Sequence, residues 1–586
     1  MLINTQSSQQ WKHIGVHKRA GLLVPLFSIY SKESFGIGEF PDLKLLVDLA
    51  HQTGNSIIQL LPLNEIGGNF CPYDSVSSFA LEPAHIRLKA KKGRAPGRFV
   101  DYKIKAEKLN SLFEEFKVDE DKRSEDFPSF KIENSYWLAN FALYKVLKAR
   151  HNGSAWYEWE DKYKYREQAA LQQFKLEHAQ EIEFQEWLQW RAFKQLYEAR
   201  AYANKKKVFL KGDLPILVSR DSADVWSNPQ YFKLEYAAGA PVDMYAAKGQ
   251  RWGMPTYNWD KIREDSFRYL IEKLTYAQNF YDILRIDHVV GLFRIWSINY
   301  NEPLENKGLN GFFDPPDENQ WGDHGRNLLQ VMLYNTKMLL CAEDLGIIPP
   351  ACTETLKNLG IPGNDVQRWV KDWSMLHDFL EPHDYRKLSV SMLSTHDTTN
   401  WPAWWENEAG TIDEGLFIRR CETRGINFEK VKPKLFDPGK SKHGRLRWLD
   451  SIDVIDKLVW SLDRKREEVS DFIEMYLNSF QEKEKLWKQM GLKGQMREKC
   501  DREIVKAALR IVLDSASIFC INTLLDWLYV SDIPKGDSYD NRINTPGTIS
   551  DKNWSFTLPL SLEQLLDHKV GKEMKKMAAD SHRIAV

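Results

Sequence analysis

Gly21-Leu22-Leu23-Val24-Pro25-Leu26 is an apolar run of the length of a buried strand. A polar, glycine-containing loop follows from Tyr30 to Glu39, and then an amphipathic helical pattern from about Pro41 to Thr53. Ser56-Ile57-Ile58-Gln59-Leu60-Leu61 is the next strand-like run, stopped by Pro62. Strand, helix, strand in that order predicts parallel pairing across a helical crossover. The same kind of run returns at Lys207-Val208-Phe209-Leu210-Lys211, Ile283-Leu284-Arg285-Ile286 and Met338-Leu339-Leu340-Cys341-Ala342. Leu388-Ser389-Val390-Ser391-Met392 continues it, and Ser517-Ile518-Phe519-Cys520-Ile521-Asn522 reads as the last strand, with the C-terminus closing a ring.

Two stretches interrupt this rhythm. From about 84 to 204, charge runs such as Asp119-Glu120-Asp121-Lys122-Arg123 alternate with helical patterns. Trp137, Phe141, Tyr144 and Leu147 fall on one helical face there, and Glu186 to Ala203 reads as a long helix. From 405 to 499 the chain is again charged and helical, with little strand character. The predicted organisation is a first part of a catalytic barrel over 15–83, a mostly helical insertion over 84–204, and the central barrel over 205–404 with a lid near 249–257. A second helical insertion covers 405–499, and 500–586 supplies the last part of the barrel and a Lys-rich tail, read as a solvated helix from Lys569.

With 586 residues, 43% hydrophobic and 28% charged, the chain is globular and long enough for a barrel with insertions. A formal net charge of -1 argues against a broad nucleic-acid surface. Six scattered cysteines without paired metal spacing predict a reduced, cytoplasmic protein. Met1 to Lys18 is polar and lacks a signal-peptide core, and no apolar run approaches the ~20 residues of a membrane span.

Three carboxylates carry the chemistry. They stand in Leu284-Arg285-Ile286-Asp287-His288, Ala342-Glu343-Asp344-Leu345-Gly346 and Ser394-Thr395-His396-Asp397. From 287 to 343 is 56 residues and from 343 to 397 is 54, a near-even spacing that predicts the ends of successive strands. In β/α barrels the C-terminal strand ends hold the catalytic groups. Converging carboxylates there suit glycosidic chemistry, in which one acts as nucleophile and another as proton donor. Arg285 and Asp287 share a strand face, so the arginine is expected to keep Asp287 ionised. Blander readings exist for each: a strand-end ion pair for Asp287, a helix-start carboxylate for Glu343, and an N-cap for Asp397. Lys211-Gly212-Asp213-Leu214-Pro215 brings Asp213 to the same rim, and Gln250-Arg251-Trp252-Gly253-Met254-Pro255 is either a flexible lid or a packed surface loop. Gly439-Lys440-Ser441 resembles the end of a phosphate loop, but Lys434 stands where its first glycine would be.

Taken together, these motifs resemble the 4-α-glucanotransferases of the amylomaltase (disproportionating enzyme) family, in the α-amylase clan. The resemblance runs from about Arg19 to Pro559. It includes Gly36-Ile37-Gly38, Gln59-Leu60-Leu61-Pro62-Leu63, Cys71-Pro72-Tyr73 and Gly212-Asp213-Leu214-Pro215-Ile216. It continues through Asp221-Ser222-Ala223-Asp224-Val225-Trp226, Gly249 to Pro255, the three carboxylate motifs, and Arg542-Ile543-Asn544-Thr545-Pro546-Gly547-Thr548. The resemblance implies an α/β fold, a (β/α)8 TIM barrel with large, mostly helical insertions, and a retaining double displacement on α-1,4-glucans. It implies Asp287 as nucleophile, Glu343 as general acid/base and Asp397 as transition-state stabiliser. Tyr73, Asp213, Trp252, Arg285 and His396 match substrate-binding positions. Maltooligosaccharides are the implied substrates, with glycogen or starch as polymeric candidates; no metal, cofactor, nucleic acid or membrane is expected. The chain departs from the family's usual pattern at Cys71, where Ser is common, and at Met254, where Asn is common. Gly67-Gly68-Asn69-Phe70 also lacks the Tyr that some members use at a secondary glucan site. A hydrolase of the same clan and a non-catalytic glucan-binding protein are the alternatives.

Overall fold

The computed structural model describes residues 2–89, 91–242 and 247–584. Its centre is an eight-stranded parallel sheet built from β1 (Arg19–Leu23), β2 (Ile57–Gln59), β3 (Phe209–Leu214), β4 (Ile283–Ile286), β5 (Leu339–Ala342), β6 (Gly363–Val366), β7 (Ser389–Met392) and β8 (Phe519–Thr523). The hydrogen-bonded order is β5-β4-β3-β2-β1-β8-β7-β6, so the strands run round a nearly closed barrel in chain order. Alternate residues of each strand face inward: Leu23, Ile57, Ile283, Leu339, Cys341, Val390, Phe519 and Ile521 form an interior core. The N-terminal helix Ser8–Ile14 closes one end of it. Trp11 is fully buried there, donates through Nε1 to Gly360 O at 2.8 Å and stacks on Phe519.

Seven strands fall on the runs expected from sequence, with ends displaced by up to three residues. The eighth, β6, was missed. Gly363-Asn364-Asp365-Val366 carries no apolar run, and its polar side chains are buried by partners that the linear sequence does not announce. Glu343 and Asp397 therefore do not follow successive strands, because β6 lies between them; the near-equal spacing of the three carboxylates is a coincidence of loop lengths.

The seam between β5 and β6 is held largely by side chains. Ala342 N donates to Pro362 O at 2.8 Å, and the buried Asp344 carboxylate accepts from Asn364 N at 2.7 Å. Arg386 bridges the two sides, reaching Asp344 Oδ2 at 2.5 Å, Asp365 Oδ1 at 2.7 Å and Asn364 O at 2.6 Å. Position 363 is glycine for a local reason: a Cβ there would stand 2.3 Å from Asp344 Oδ2.

The two inserted regions differ in how they are anchored. Helices Lys103–Val118, Leu138–Arg150 and the 27-residue Ala179–Lys205 bury their apolar faces in the same core as the outside of the barrel. Residues from Ile412 to Tyr476 instead form a core of their own, around Phe417, Leu435, Leu458 and Phe472. The tail is not a solvated helix. Val570–Asp580 buries Val570, Met574, Met577 and Ala578, since its Lys residues occupy only one face. Beyond it, fully buried Arg583 donates to Leu513, Ser515 and Ser517 carbonyls.

Arg386→Met leaves Asp344 and Asp365 facing each other without a cation, and removing one partner of a buried ion pair costs about 3 kcal/mol. Part of Arg386 is solvent-exposed, so the loss falls at or below that figure. The urea midpoint should drop, and by less at pH 5 than at pH 8, because burial raises the Asp344 carboxyl and the lower pH protonates it more readily once the cation is gone.

Candidate active site

The C-terminal ends of the barrel strands open into one cavity of about 1980 Å³. Small-ligand pockets run to roughly 1,000 Å³, so this space suits an extended chain. Asp287 follows β4, Glu343 follows β5, and His396 and Asp397 lie in the loop after β7. Tyr73, Trp252, Arg285, Asp287, Glu343, His396 and Asp397 all line the cavity. Asp213, expected at the rim, lies beneath the surface instead, with no side-chain area exposed.

Strand register explains that layer. Asp213 of β3 pairs with Arg285 of β4, and Arg285 with Cys341 of β5. Arg285 Nη1 reaches both Asp213 oxygens at 2.7 Å and Asp287 Oδ1 at 2.9 Å. Tyr73 Oη donates to Asp213 Oδ2 at 2.7 Å, and its ring stacks on His396 with centroids 5.1 Å apart. His396 Nε2 lies 3.2 Å from Asp397 Oδ2 as an ion pair, and neither ring nitrogen has a hydrogen-bond partner among the described residues.

Glu343 is held differently. Its Oε2 accepts from His288 N at 2.8 Å and its Oε1 from Leu345 N at 3.2 Å. No basic side chain forms an ion pair with it among the described residues. The His288 backbone turns into the left-handed region, φ 46°, and Gly346 has φ 91°; together these turns aim amides at the carboxylate.

The electrostatics separate the three carboxyls. Burial pushes Glu343 up to about 7, opposed by Arg285 and reinforced by Asp287. Burial also pushes Asp287 up to about 6, despite Arg285. The expectation that Arg285 would hold Asp287 firmly ionised is thus only partly met, because Asp213 takes two of the three close guanidinium contacts. Desolvation within the cavity opposes charge on Asp397 too, although its side chain is about half exposed, but the His396 charge 3.2 Å away and a hydrogen bond from Asn544 bring it down to about 2. His396 is raised in turn, since Asp397 outweighs its desolvation. Burial lowers His288 to about 4, leaving a neutral ring.

The bland alternatives fare unevenly. The N-cap of the helix Trp401–Asn407 is Asn400, not Asp397. Helix Pro350–Leu359 begins well beyond Glu343. The Arg285–Asp287 pair is real but lies in the cavity floor rather than on an open surface. The segment 249–257 is neither a free loop nor simple surface packing. Gln250–Arg251 is the edge of a four-stranded antiparallel sheet with Tyr236–Ala240, Ile295–Asn299 and Gly311–Asp314. Arg251 donates to Glu302 O and Tyr300 O, both at 2.5 Å. Trp252 meets the His288 ring edge-on at 4.8 Å.

Two neighbours of the site escaped the sequence reading. Asn544 Nδ2 donates to Asp397 Oδ1 at 2.7 Å, and Trp554 sits against Tyr73 and His396. Asn544 stands in the Arg542–Thr548 motif, which was the signal; Trp554 had none. Cys71 also lines the cavity, with its thiol pushed up to about 12 by burial.

Comparison with known proteins agrees with this geometry. The family model described as 4-alpha-glucanotransferase (Glyco_hydro_77) matches residues 24–562. The 4-alpha-glucanotransferase of Chlamydia pneumoniae is 32% identical, over 97% of this chain and 96% of its own. That of Chlamydia caviae is 30% identical over 96% and 95%. In fold, the chain is similar to the amylomaltase from Streptococcus agalactiae in complex with acarbose, with a TM-score of 0.72 and 23% identity over 97% of this chain and all of that one. The amylomaltase from Corynebacterium glutamicum gives 0.69 at 19% identity, over 98% and 76%. With a barrel mouth that gathers three carboxyls of unequal proton affinity and a family match over nearly its whole length, the chain belongs to the 4-alpha-glucanotransferase family.

Proposed function

We propose that this enzyme, a glycosyltransferase acting on α-1,4-glucans, works by double displacement with Asp287 as nucleophile and Glu343 as acid/base. The observation that carries the assignment is the unequal treatment of the two carboxyls. Asp287 has a cation at 2.9 Å, while Glu343 has only backbone amides and the higher proton affinity. Of two carboxyls in one enclosed site, the one beside a cation is the one that keeps its charge, and the one held by amides alone is the one that carries the proton.

In the first half-reaction Asp287 attacks the anomeric carbon and Glu343 gives its proton to the glycosidic oxygen. The C1–O4 bond breaks with its electron pair going to O4, and a glucosyl ester forms on Asp287. In the second, Glu343, now a carboxylate, takes the proton of an acceptor 4-hydroxyl, whose oxygen attacks C1 and frees Asp287. Two inversions give retention. Asp397, ionised beside His396, stabilises the developing positive charge and binds ring hydroxyls. Arg285, Tyr73, His396 and Trp252 shape the subsite of the attacked glucose. Asp213, whose oxygens are engaged by Arg285 and Tyr73, acts by positioning them. Maltooligosaccharides are the substrates we assign, with glycogen or starch chains as polymeric donors. All six cysteines are free thiols, which suits a reducing compartment such as the cytoplasm. Among the described residues no helix is long and apolar enough to cross a membrane.

Incubated with maltotriose alone, the protein should yield glucose together with chains longer than maltotriose. Glucose and maltose without longer chains would mark a hydrolase. Asp287→Asn should cut transfer by at least about a thousandfold, as removal of a nucleophile does elsewhere; retained transfer would overturn the assignment.

The raised Glu343 predicts an unusual sign for stability. Between its unfolded value near 4.5 and its folded value of about 7 the native state holds the extra proton. Stability from this group is therefore present at low pH and lost as pH rises through about 7. Glu343→Gln removes the term: relative to the parent, its midpoint should rise at pH 8, by an amount on the order of 2–3 kcal/mol, and the difference should vanish near pH 4. Activity should fall in the same variant.

A further inference from the structure

Only one of the two helical insertions reaches the cavity. Among the described residues, none between 84 and 204 lines it, whereas the segment from Thr411 to Glu482 supplies one whole wall. Within that wall the helix Ser470–Ser479 is divided lengthwise. Phe472 and Tyr476 turn into the insertion's own core, and Asp471, Glu474, Met475 and Asn478 face the cavity at i, i+3, i+4 and i+7.

Of these polar groups the fold leaves Glu474 unengaged. Glu474 is exposed and makes no hydrogen bond or ion pair among the described residues. Asp471 is instead ion-paired within the insertion to Arg420 and Arg424, each at 3.7 Å. Next to this helix, the hairpin that follows β6 offers the half-buried indole of Trp373 to the same cavity. That ring is fixed: its Nε1 donates to Trp369 O at 3.1 Å, and Lys371 Nζ lies 5.0 Å from its centroid. Hairpin and helix are tied together, since His377 Nδ1 lies 2.8 Å from Asn478 Oδ1 and Lys371 Nζ donates to Asn478 O at 3.2 Å. A held aromatic plane on one element and an unengaged carboxylate, that of Glu474, on its neighbour is the chemistry that grips a sugar, which has an apolar ring face and a rim of hydroxyls.

We propose that Trp373 and the Asp471–Asn478 helix face form a distal subsite for α-1,4-glucan. It binds glucose units remote from the Asp287–Glu343 pair and selects for long chains. The inference rests on the glucan-transfer reading above and adds to it where chain-length preference resides. Glu474 projects from the surface without partners among the described residues, so its truncation does not challenge folding; Trp373→Ala probes the adjoining hairpin.

The test is kcat/KM for maltoheptaose and for maltotriose, measured on the full chain, on Glu474→Ala and on Trp373→Ala. The maltoheptaose-to-maltotriose ratio is expected to fall about tenfold in the variants, the equivalent of ~1.4 kcal/mol. A fall in either variant supports a distal contact on that wall; a ratio unchanged in both overturns the proposal. If the unaltered chain lengthens neither sugar, the transfer reading itself falls and takes the subsite with it. That failure is distinct because it is read before any substitution is made.

Discussion

One guanidinium sets the order of the whole barrel mouth. Asp213, Asp287, Glu343 and Asp397 are crowded into a space that water only partly reaches, and isolated carboxylates there are costly. Arg285 reaches two of them, and Asp213 takes the larger share. Asp397 is satisfied from the far side by His396 and Asn544. Glu343 is left with amides alone. The proton affinities follow from this rationing: lowest at Asp397, intermediate at Asp287, highest at Glu343. None of it survives a slip of register, because the contact depends on Asp213 lying beside Arg285 in adjacent strands.

The parts of the fold that could be read from sequence were those whose cause is local. Short apolar or β-prone runs marked seven of the eight strands, and helical spacing at Trp137, Phe141, Tyr144 and Leu147 marked a face that is indeed buried. What stayed hidden was specified by distant partners. The β6 strand is polar and depends on Asp344, Arg386 and Ser389 to be buried at all. The C-terminal helix looks solvated by composition, yet one face docks on the core. The place of each candidate site residue was legible because motifs name strand ends, but the burial of Asp213 was not, since it depends on what Tyr73 and Arg285 cover. The same limit applied to the 249–257 segment, whose pairing partner Tyr236–Ala240 gave no signal of its own.

Glu343 and Asp344 are neighbours with opposite duties. The first faces the cavity without a cation, and the second turns back to join β5 to β6 through Asn364 and Arg386. Alternation of side chains about one backbone is what allows both. The proposed acid/base is therefore fixed at the point where the barrel closes, so that the geometry of closure and the geometry of proton transfer share a single peptide unit.

The second insertion folds around its own core, separate from that of the barrel. Residues there can change without disturbing the packing that holds Arg285 and its carboxylates. One bank of the channel can thus be recut, lengthened, shortened or recharged, without touching the contacts that order the reaction centre. Under the distal subsite proposed above, preference for chain length and the chemistry are set by parts of the molecule with separate cores.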